Sequence, residues 1–260
     1  MSSIYINDLW IEDSEIGEDV VLFIHGLGGS SNFWSPILSA FHGYRTIRPD
    51  LEGAGRSSKH AEQLSISRHV SSLITVIDEL GIKKIHIVAH SMGTIIAQHL
   101  AVSHPERVRS LSLFGPFAAP TDMAREATRN RANQARMGNI GMQEIADVIC
   151  KTATSTETKR ERPVALALIR ESIMRQPPEG YALNCEGLAE AQPADLKRLA
   201  IPVLLVTGDE DGVATPERIL TMSEQLIDHQ QFILNGCGHW TTYEKPFECI
   251  RILTDFYKNQ

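Results

Sequence analysis

No stretch of this 260-residue chain approaches the ~20 consecutive apolar residues that a membrane-spanning helix requires, and no membrane association is expected. Positive charge is also in short supply. The 25 Lys and Arg residues face 32 Asp and Glu, a formal net charge of -7, so there is no basic surplus to neutralise nucleic-acid phosphates or anionic headgroups. Cysteine is scarce, and Cys150, Cys185, Cys237 and Cys249 form no C-x-x-C pair and no metal-ligand spacing. Disulfide staples and a structural metal are therefore not expected, and the thiols read as reduced groups of a cytoplasmic protein. The segment MSSIYINDLWIEDSE lacks the basic start and continuous apolar run of a secretory leader and alternates instead like an edge strand. Neither G-x-x-x-x-G-K-[ST] nor G-x-G-x-x-G occurs, which disfavours a nucleotide cofactor.

The remaining composition is that of an ordinary globular chain, 42% hydrophobic and 22% charged, with no internal repeat or low-complexity tract. Its length suits one α/β domain carrying an insertion. Short apolar runs bounded by turn residues recur: DVVLFIHG, YRTIRPD, KKIHIVAHS, VRSLSLFGP, IPVLLVTGD and QQFILNG. Continuous hydrophobicity of this kind suits strands of a parallel sheet covered on both faces. Between them lie helical patterns, such as Ile66, Val70, Leu73, Ile74 and Ile77 ahead of Gly81, and helix starts at Thr215-Pro216 and Lys245-Pro246. The alternation βαβα makes the fold class α/β, a mostly parallel sheet with helices on both faces.

One stretch departs from that rhythm. Residues 116–193 hold four helical patterns and no strand, which reads as a helical lid inserted between two parts of a core, 1–115 and 194–260. Such an insertion would cover the carboxyl edge of the sheet, where open α/β sheets bind ligands.

Ala89-His90-Ser91-Met92-Gly93 joins an apolar run to the helical pattern MGTIIAQHLAVSHP. A strand-to-helix turn this tight needs small residues two before and two after the serine and leaves the hydroxyl exposed. Ser91 is thus the candidate nucleophile, with a plain helix N-cap as the alternative. A serine needs a base and the base an orienting carboxylate, in the chain order Ser, Asp, His. Asp211, in VLLVTGDEDGVATPE, and His239, in NGCGHWTTYEKP, follow that order, with Asp209 and Glu210 as rival carboxylates. Donors for a developing oxyanion are expected from the backbone N–H groups of Leu27, in HGLGGS, and Met92, each worth ~3 kcal/mol.

Across nearly its whole length the sequence resembles the α/β-hydrolase superfamily, on HGLGG, RPDLEGAGRS, AHSMG, GDED and GCGHW taken in order. Asp50 to Ser57 is similar to the family's D-x-x-G-x-G-x-S loop, for which the resemblance implies a structural role. SMGTIIAQHLAVSHPERV and CEGLAEAQPADLKRLAIPVLLVTGDEDGVATPE resemble 3-oxoadipate enol-lactonases, whereas Cys237-Gly238-His239-Trp240 resembles the meta-cleavage-product hydrolases, which cut carbon-carbon bonds. The latter carry Asn before the nucleophile, where His90 stands here. The resemblance implies hydrolysis of an ester or lactone through an acyl-enzyme, without metal or organic cofactor. Carbon-carbon hydrolysis of vinylogous diketones, a slow-turnover ligand receptor and an acyltransferase stay open as alternatives.

Substrate contacts are expected from His90, Trp34 and Trp240, with Phe33 and Met92 as further apolar wall. Arg125 and Arg129, with Arg136, stand at spacings that suggest a clamp for a substrate carboxylate, against the alternative of a solvated basic face. The expected partner is a small ester or lactone, and the expected state a monomer or homodimer.

Overall fold

The computed structural model describes residues 2–57 and 62–258. Six parallel strands follow the six apolar runs: β3 (Val20–Ile24), β4 (Arg45–Pro49), β5 (Ile85–His90), β6 (Val108–Phe114), β7 (Val203–Gly208) and β8 (His229–Leu234). The N-terminal segment forms two strands rather than one. β1 (Ser2–Ile6) and β2 (Leu9–Asp13) make an antiparallel hairpin, because Asn7 and Asp8 both adopt positive φ, 48° and 61°, as a two-residue hairpin turn demands. β2 also runs antiparallel to β4, giving the sheet order β1-β2-β4-β3-β5-β6-β7-β8. β8 departs from the expectation of double coverage: it is an edge strand, largely exposed along its length.

Side chains of β3 alternate between two cores. Leu22 and Ile24 face a cluster with Leu73 and Ile77 of α1 (Ile66–Glu79), Ile95 and Ile96 of α2 (Met92–Ser103) and Ile219 of α8 (Pro216–Ser223). Val21 and Phe23 face the opposite side, toward Phe33, Trp34 and Ile37 of the 3-10 segment Ser31–Phe41 and Ile252, Leu253 and Phe256 of α10 (Pro246–Tyr257). α1 starts where the Ser65 hydroxyl accepts the Arg68 N–H at 3.2 Å. It stops at Gly81, whose φ of +67° lets the N–H groups of Gly81 and Ile82 turn back onto the carbonyls of Asp78 and Ile77, at 2.9 and 2.8 Å.

The chain runs from β3 outward to β4, then returns to β5 on the other side of β3. Loops leaving β3 and β5 therefore diverge at their carboxyl ends and open a crevice. Between β6 and β7 stand five helices: α3 (Asp122–Ala135), α4 (Asn139–Thr152), α5 (Thr156–Glu161), α6 (Pro163–Met174) and α7 (Pro178–Ala189). α5 is one more than the sequence pattern suggests; it is a single short helix capped by Ser155, whose hydroxyl accepts the Thr158 N–H at 3.0 Å. Among the described residues no helix is long and apolar enough to cross a membrane.

Candidate active site

Ser91 sits between β5 and α2 with φ 53° and ψ -123°, a conformation that L-residues avoid and that tight packing must enforce. The enforcement is visible on both sides. Ala89 is fully buried in β5, and a Cβ on Gly93 would stand 2.2 Å from the Ile24 carbonyl oxygen. The strand thus ends in a turn that pushes the Ser91 hydroxyl out of the sheet.

His239, in the loop between β8 and α9 (Thr241–Glu244), reaches that hydroxyl: its Nε2 lies 2.9 Å from Ser91 Oγ. Its Nδ1 lies 2.8 Å from Oδ2 of Asp211, in the loop after β7. Asp211 is held in turn by the N–H groups of Val213 and Ala214 through Oδ1, both at 2.8 Å, and by the Thr207 hydroxyl through Oδ2 at 3.0 Å. Burial pushes the Asp211 carboxyl up, but His239 and these backbone donors outweigh it and hold the group down at about 2. The rival carboxylates are used elsewhere. Asp209 accepts the Cys237 N–H at 3.1 Å, and Glu210 accepts from the N–H and hydroxyl of Thr156 at 2.9 and 2.8 Å.

The His239 loop rests on a residue that the sequence pattern did not single out. Glu244, fully buried in α9, accepts the N–H groups on either side of the histidine, Gly238 at 3.0 Å and Trp240 at 3.1 Å, together with Ser155 of the insertion at 2.8 Å. Its only outward signal is position, since it ends the short run just before Lys245-Pro246.

The turn after β3 abuts Ser91 closely enough that a Cβ on Gly26 would stand 2.7 Å from the Ser91 Cβ. Gly26 and Gly29 close it with a 3.0 Å backbone bond, and Gly28 takes a φ of +81° as the third residue of such a turn requires. His25 braces it. Its Nδ1–H donates to the Gly26 carbonyl at 2.8 Å while Nε2 accepts the Leu51 N–H at 2.9 Å, which fixes the tautomer. A trans peptide carries its C=O and N–H on opposite sides, so the doubly held Gly26 carbonyl sets the direction of the Leu27 N–H. Met92 opens α2, so its own N–H is one that the helix cannot use. Asp50 anchors the neighbouring glycine loop through the N–H groups of Ser31 and Arg56, at 2.7 and 2.8 Å.

A cavity of about 330 Å³ opens over Ser91, with Leu27, His90, His239 and Trp240 on the sheet side and Ala124, Ala127, Thr128, Arg131 and Ile149 on the insertion side. His90 and Trp240 therefore line it, while three other expected contacts do not. Trp34 is fully buried against Phe23 and Phe33, because its segment turns the aromatic face toward the sheet. Arg125 donates to the carbonyls of Ala189 and Ala191 at the end of α7, and Arg129 pairs with Glu190 at 2.6 Å. Arg136 pairs with Glu179 and Glu186. That stripe of α3 packs on α7, whose acidic residues and terminal carbonyls satisfy it. Two cations line the cavity: Arg218, which donates to the Val213 carbonyl at 2.6 Å, and Arg131, beside Ala127 and Thr128, for which no Asp or Glu lies within ion-pair distance among the described residues. The signal in the sequence was the run of small residues, Ala124, Ala127 and Thr128, on the same helix face.

Among the described residues no group of three or more His, Cys, Asp or Glu side chains is arranged to hold a metal ion. Residues 19–246 match the family described as alpha/beta hydrolase fold. The chain is 30% identical to a 2-hydroxymuconate semialdehyde hydrolase of Pseudomonas putida over 90% of its own length and 85% of the relative's. Its fold is similar to that of an esterase from Thermogutta terrifontis, with TM-score 0.92 at 24% identity over 100% of this chain and 99% of the other. It is likewise similar to that of an enol-lactonase from Burkholderia xenovorans, with TM-score 0.87 at 23% identity over 99% and 100%. The chain is a hydrolase belonging to the α/β-hydrolase fold family.

Proposed function

We propose that the chain is a serine hydrolase that opens an ester or lactone of a small carboxylate-bearing substrate, with Ser91 as nucleophile. The observation that carries this reading is the continuous relay Asp211 to His239 to Ser91, at 2.8 and 2.9 Å. His239 Nε2 takes the Ser91 proton as Oγ bonds to the carbonyl carbon; the carbonyl electrons move onto oxygen, which the N–H groups of Leu27 and Met92 receive. Collapse of that intermediate breaks the bond to the leaving oxygen, which His239 protonates. Water then gives its proton to His239, adds to the acyl-enzyme and releases Ser91. Asp211, ionised at any working pH, stabilises the imidazolium formed in each half. The inserted helices act as a roof over this site.

Arg131 supports the substrate class. An arginine on the cavity wall with no acidic partner is placed to hold a carboxylate in a bidentate pair. The experiment is a panel of p-nitrophenyl esters, lactones of several ring sizes with and without a carboxylate, and a vinylogous diketone, each run against Ser91→Ala as blank. Turnover of esters or lactones that disappears in Ser91→Ala supports the proposal, and turnover that survives in the variant overturns it. The second reading, carbon-carbon hydrolysis, draws on the 30% identical relative and on Trp240 in the cavity wall. Preference for the diketone over every ester and lactone by more than tenfold in kcat/KM would replace the first reading with the second.

A further inference from the structure

The turn that carries Leu27 is held from two directions. On the core side His25 and Gly29 fix the Gly26 carbonyl. The far side is held by the insertion. The Ser172 hydroxyl of α6 donates to the Gly28 carbonyl at 2.7 Å. Gln176, in the bend between α6 and α7, donates from Nε2 to the Gly29 carbonyl at 3.1 Å and, more weakly, to Gly28 at 3.3 Å. The same nitrogen meets the Ser172 carbonyl at 2.8 Å, and Oε1 accepts the Gly55 N–H at 3.0 Å, so only one amide orientation satisfies all partners. Both side chains are 4% exposed, which removes competition from solvent.

Glycine at position 28 makes this hold necessary. Its φ of +81° lies where glycine moves freely, so the residue that permits the turn does little to keep it. Ile173 and Tyr181 stand 3.2 and 3.5 Å from the place a Cβ would occupy, which closes off the substitution that could have stiffened it. External hydrogen bonds to the Gly28 and Gly29 carbonyls supply the missing constraint.

We propose that Ser172 and Gln176 are positioning residues for the Leu27 oxyanion donor, so that the helical insertion completes the oxyanion hole as well as roofing the cavity. This rests on the reading of Ser91 as an acyl-forming nucleophile. A consequence is that α6 cannot leave the sheet without releasing the donor turn, and the hole is competent only with the insertion seated.

The test uses the full-length chain with Gln176→Met, which keeps the length and loses the amide, and with Ser172→Ala and Ser172→Thr. Rates on a p-nitrophenyl ester are paired with inhibition by phenylboronic acid, whose tetrahedral serine adduct carries an oxygen in the position of the oxyanion. Each of the first two variants is expected to lower kcat by about 10- to 100-fold with KM within about twofold, and to raise the phenylboronate Ki by a similar factor. Ser172→Thr, which retains the hydroxyl, is expected to recover most of the rate lost in Ser172→Ala. A purely structural role would lower the urea midpoint while leaving kcat and Ki of the folded protein in place. Folded Gln176→Met or Ser172→Ala with kcat and phenylboronate Ki both within about twofold of the parent overturns the proposal. Should Gln176→Met not fold, Ser172→Ala alone decides by the same readings. Residual activity in Ser91→Ala defeats the underlying reading, whereas an inactive Ser91→Ala beside an unaffected Gln176→Met defeats only this inference.

Discussion

His90 Nε2–H donates to the backbone carbonyl of His239 at 2.8 Å, so the residue immediately before the candidate nucleophile holds the main chain of the candidate base. The ring is clamped between Phe33, 4.5 Å away by centroids, and His239, 5.0 Å away. Burial, and then the neighbouring His239, keep the His90 imidazole down at about 3, so it stays neutral and its tautomer is set by the carbonyl it serves.

Replacing His90 by Phe keeps the stacking and removes the hydrogen bond. We expect kcat to fall about tenfold, with a smaller change in KM, because the His239 ring loses its fixed approach to Ser91. Steady-state kinetics on a p-nitrophenyl ester read this directly, and an unchanged kcat would show that the His239 loop needs no such tie.

Asp211 and Asp209 separate cleanly by substitution. Asp211→Asn is expected to lower kcat by about 10³- to 10⁴-fold, because an amide cannot stabilise the imidazolium or select its tautomer. Asp209→Asn preserves an oxygen for the Cys237 N–H and should stay within a few-fold of the parent. Reversal of that order would assign the orienting carboxylate to Asp209.

For Arg131, the expected signature is selectivity. Arg131→Met should raise KM by about tenfold or more for carboxylate-bearing substrates and by little for neutral esters, since only the former lose a charge-assisted pair. Arg129→Ala breaks an exposed pair with Glu190 and should show no such bias. Equal losses on acidic and neutral substrates in Arg131→Met would reject the carboxylate assignment.

Stability should fall with acid well before the carboxylates titrate. His25, His69 and His90 are buried, and burial lowers all three, His69 to about 4 and His90 to about 3. In the unfolded chain each takes up a proton near its ordinary value of 6.5. From there down to about pH 4 the unfolded state binds protons that the native state refuses. The stability is therefore complete above about pH 6.5 and is lost as pH falls, with a limiting slope of ~1.4 kcal/mol per pH unit for each imidazole. Urea unfolding at pH 7.5, 6.5 and 5.5 measures it, and a flat profile across that window contradicts the prediction. His69→Gln, which can keep a bond to Asn184, should remove one proton from the slope.

Gly93→Ala tests the packing that enforces the Ser91 conformation. The added methyl meets the carbonyls of Ile24 and His25 at 2.2 and 2.7 Å, neither of which can yield without shifting β3. We expect a loss of about 3 kcal/mol or failure to fold, measured by thermal and urea unfolding.

What depends on local order was legible in the residues themselves. Apolar runs of strand length, the turn Ala89 to Gly93, the Ser-Asp-His order and the glycines beside Leu27 are each short-range patterns, and together they specified the α/β class and the residues that meet at the crevice. Continuous hydrophobicity could not show that β8 lies at an edge, since edge and centre differ only in which strand pairs next. The alternating N-terminus likewise concealed a hairpin that rests on two positive φ values.

Which face of each inserted helix looks inward was set by packing against the other helices and the sheet. Helical spacing grouped Arg125, Arg129 and Arg136 correctly as neighbours, but α7 satisfies that face, and Arg131 turns to the cavity instead. Trp34 went to the core for the same reason, since an aromatic residue carries no mark of which of two apolar surfaces will bury it. Ser172 and Gln176 were beyond reach of any pattern because their partners are backbone carbonyls far along the chain, and Glu244 because it serves backbone N–H groups, two nearby and that of Ser155 distant; a backbone group looks alike in every sequence.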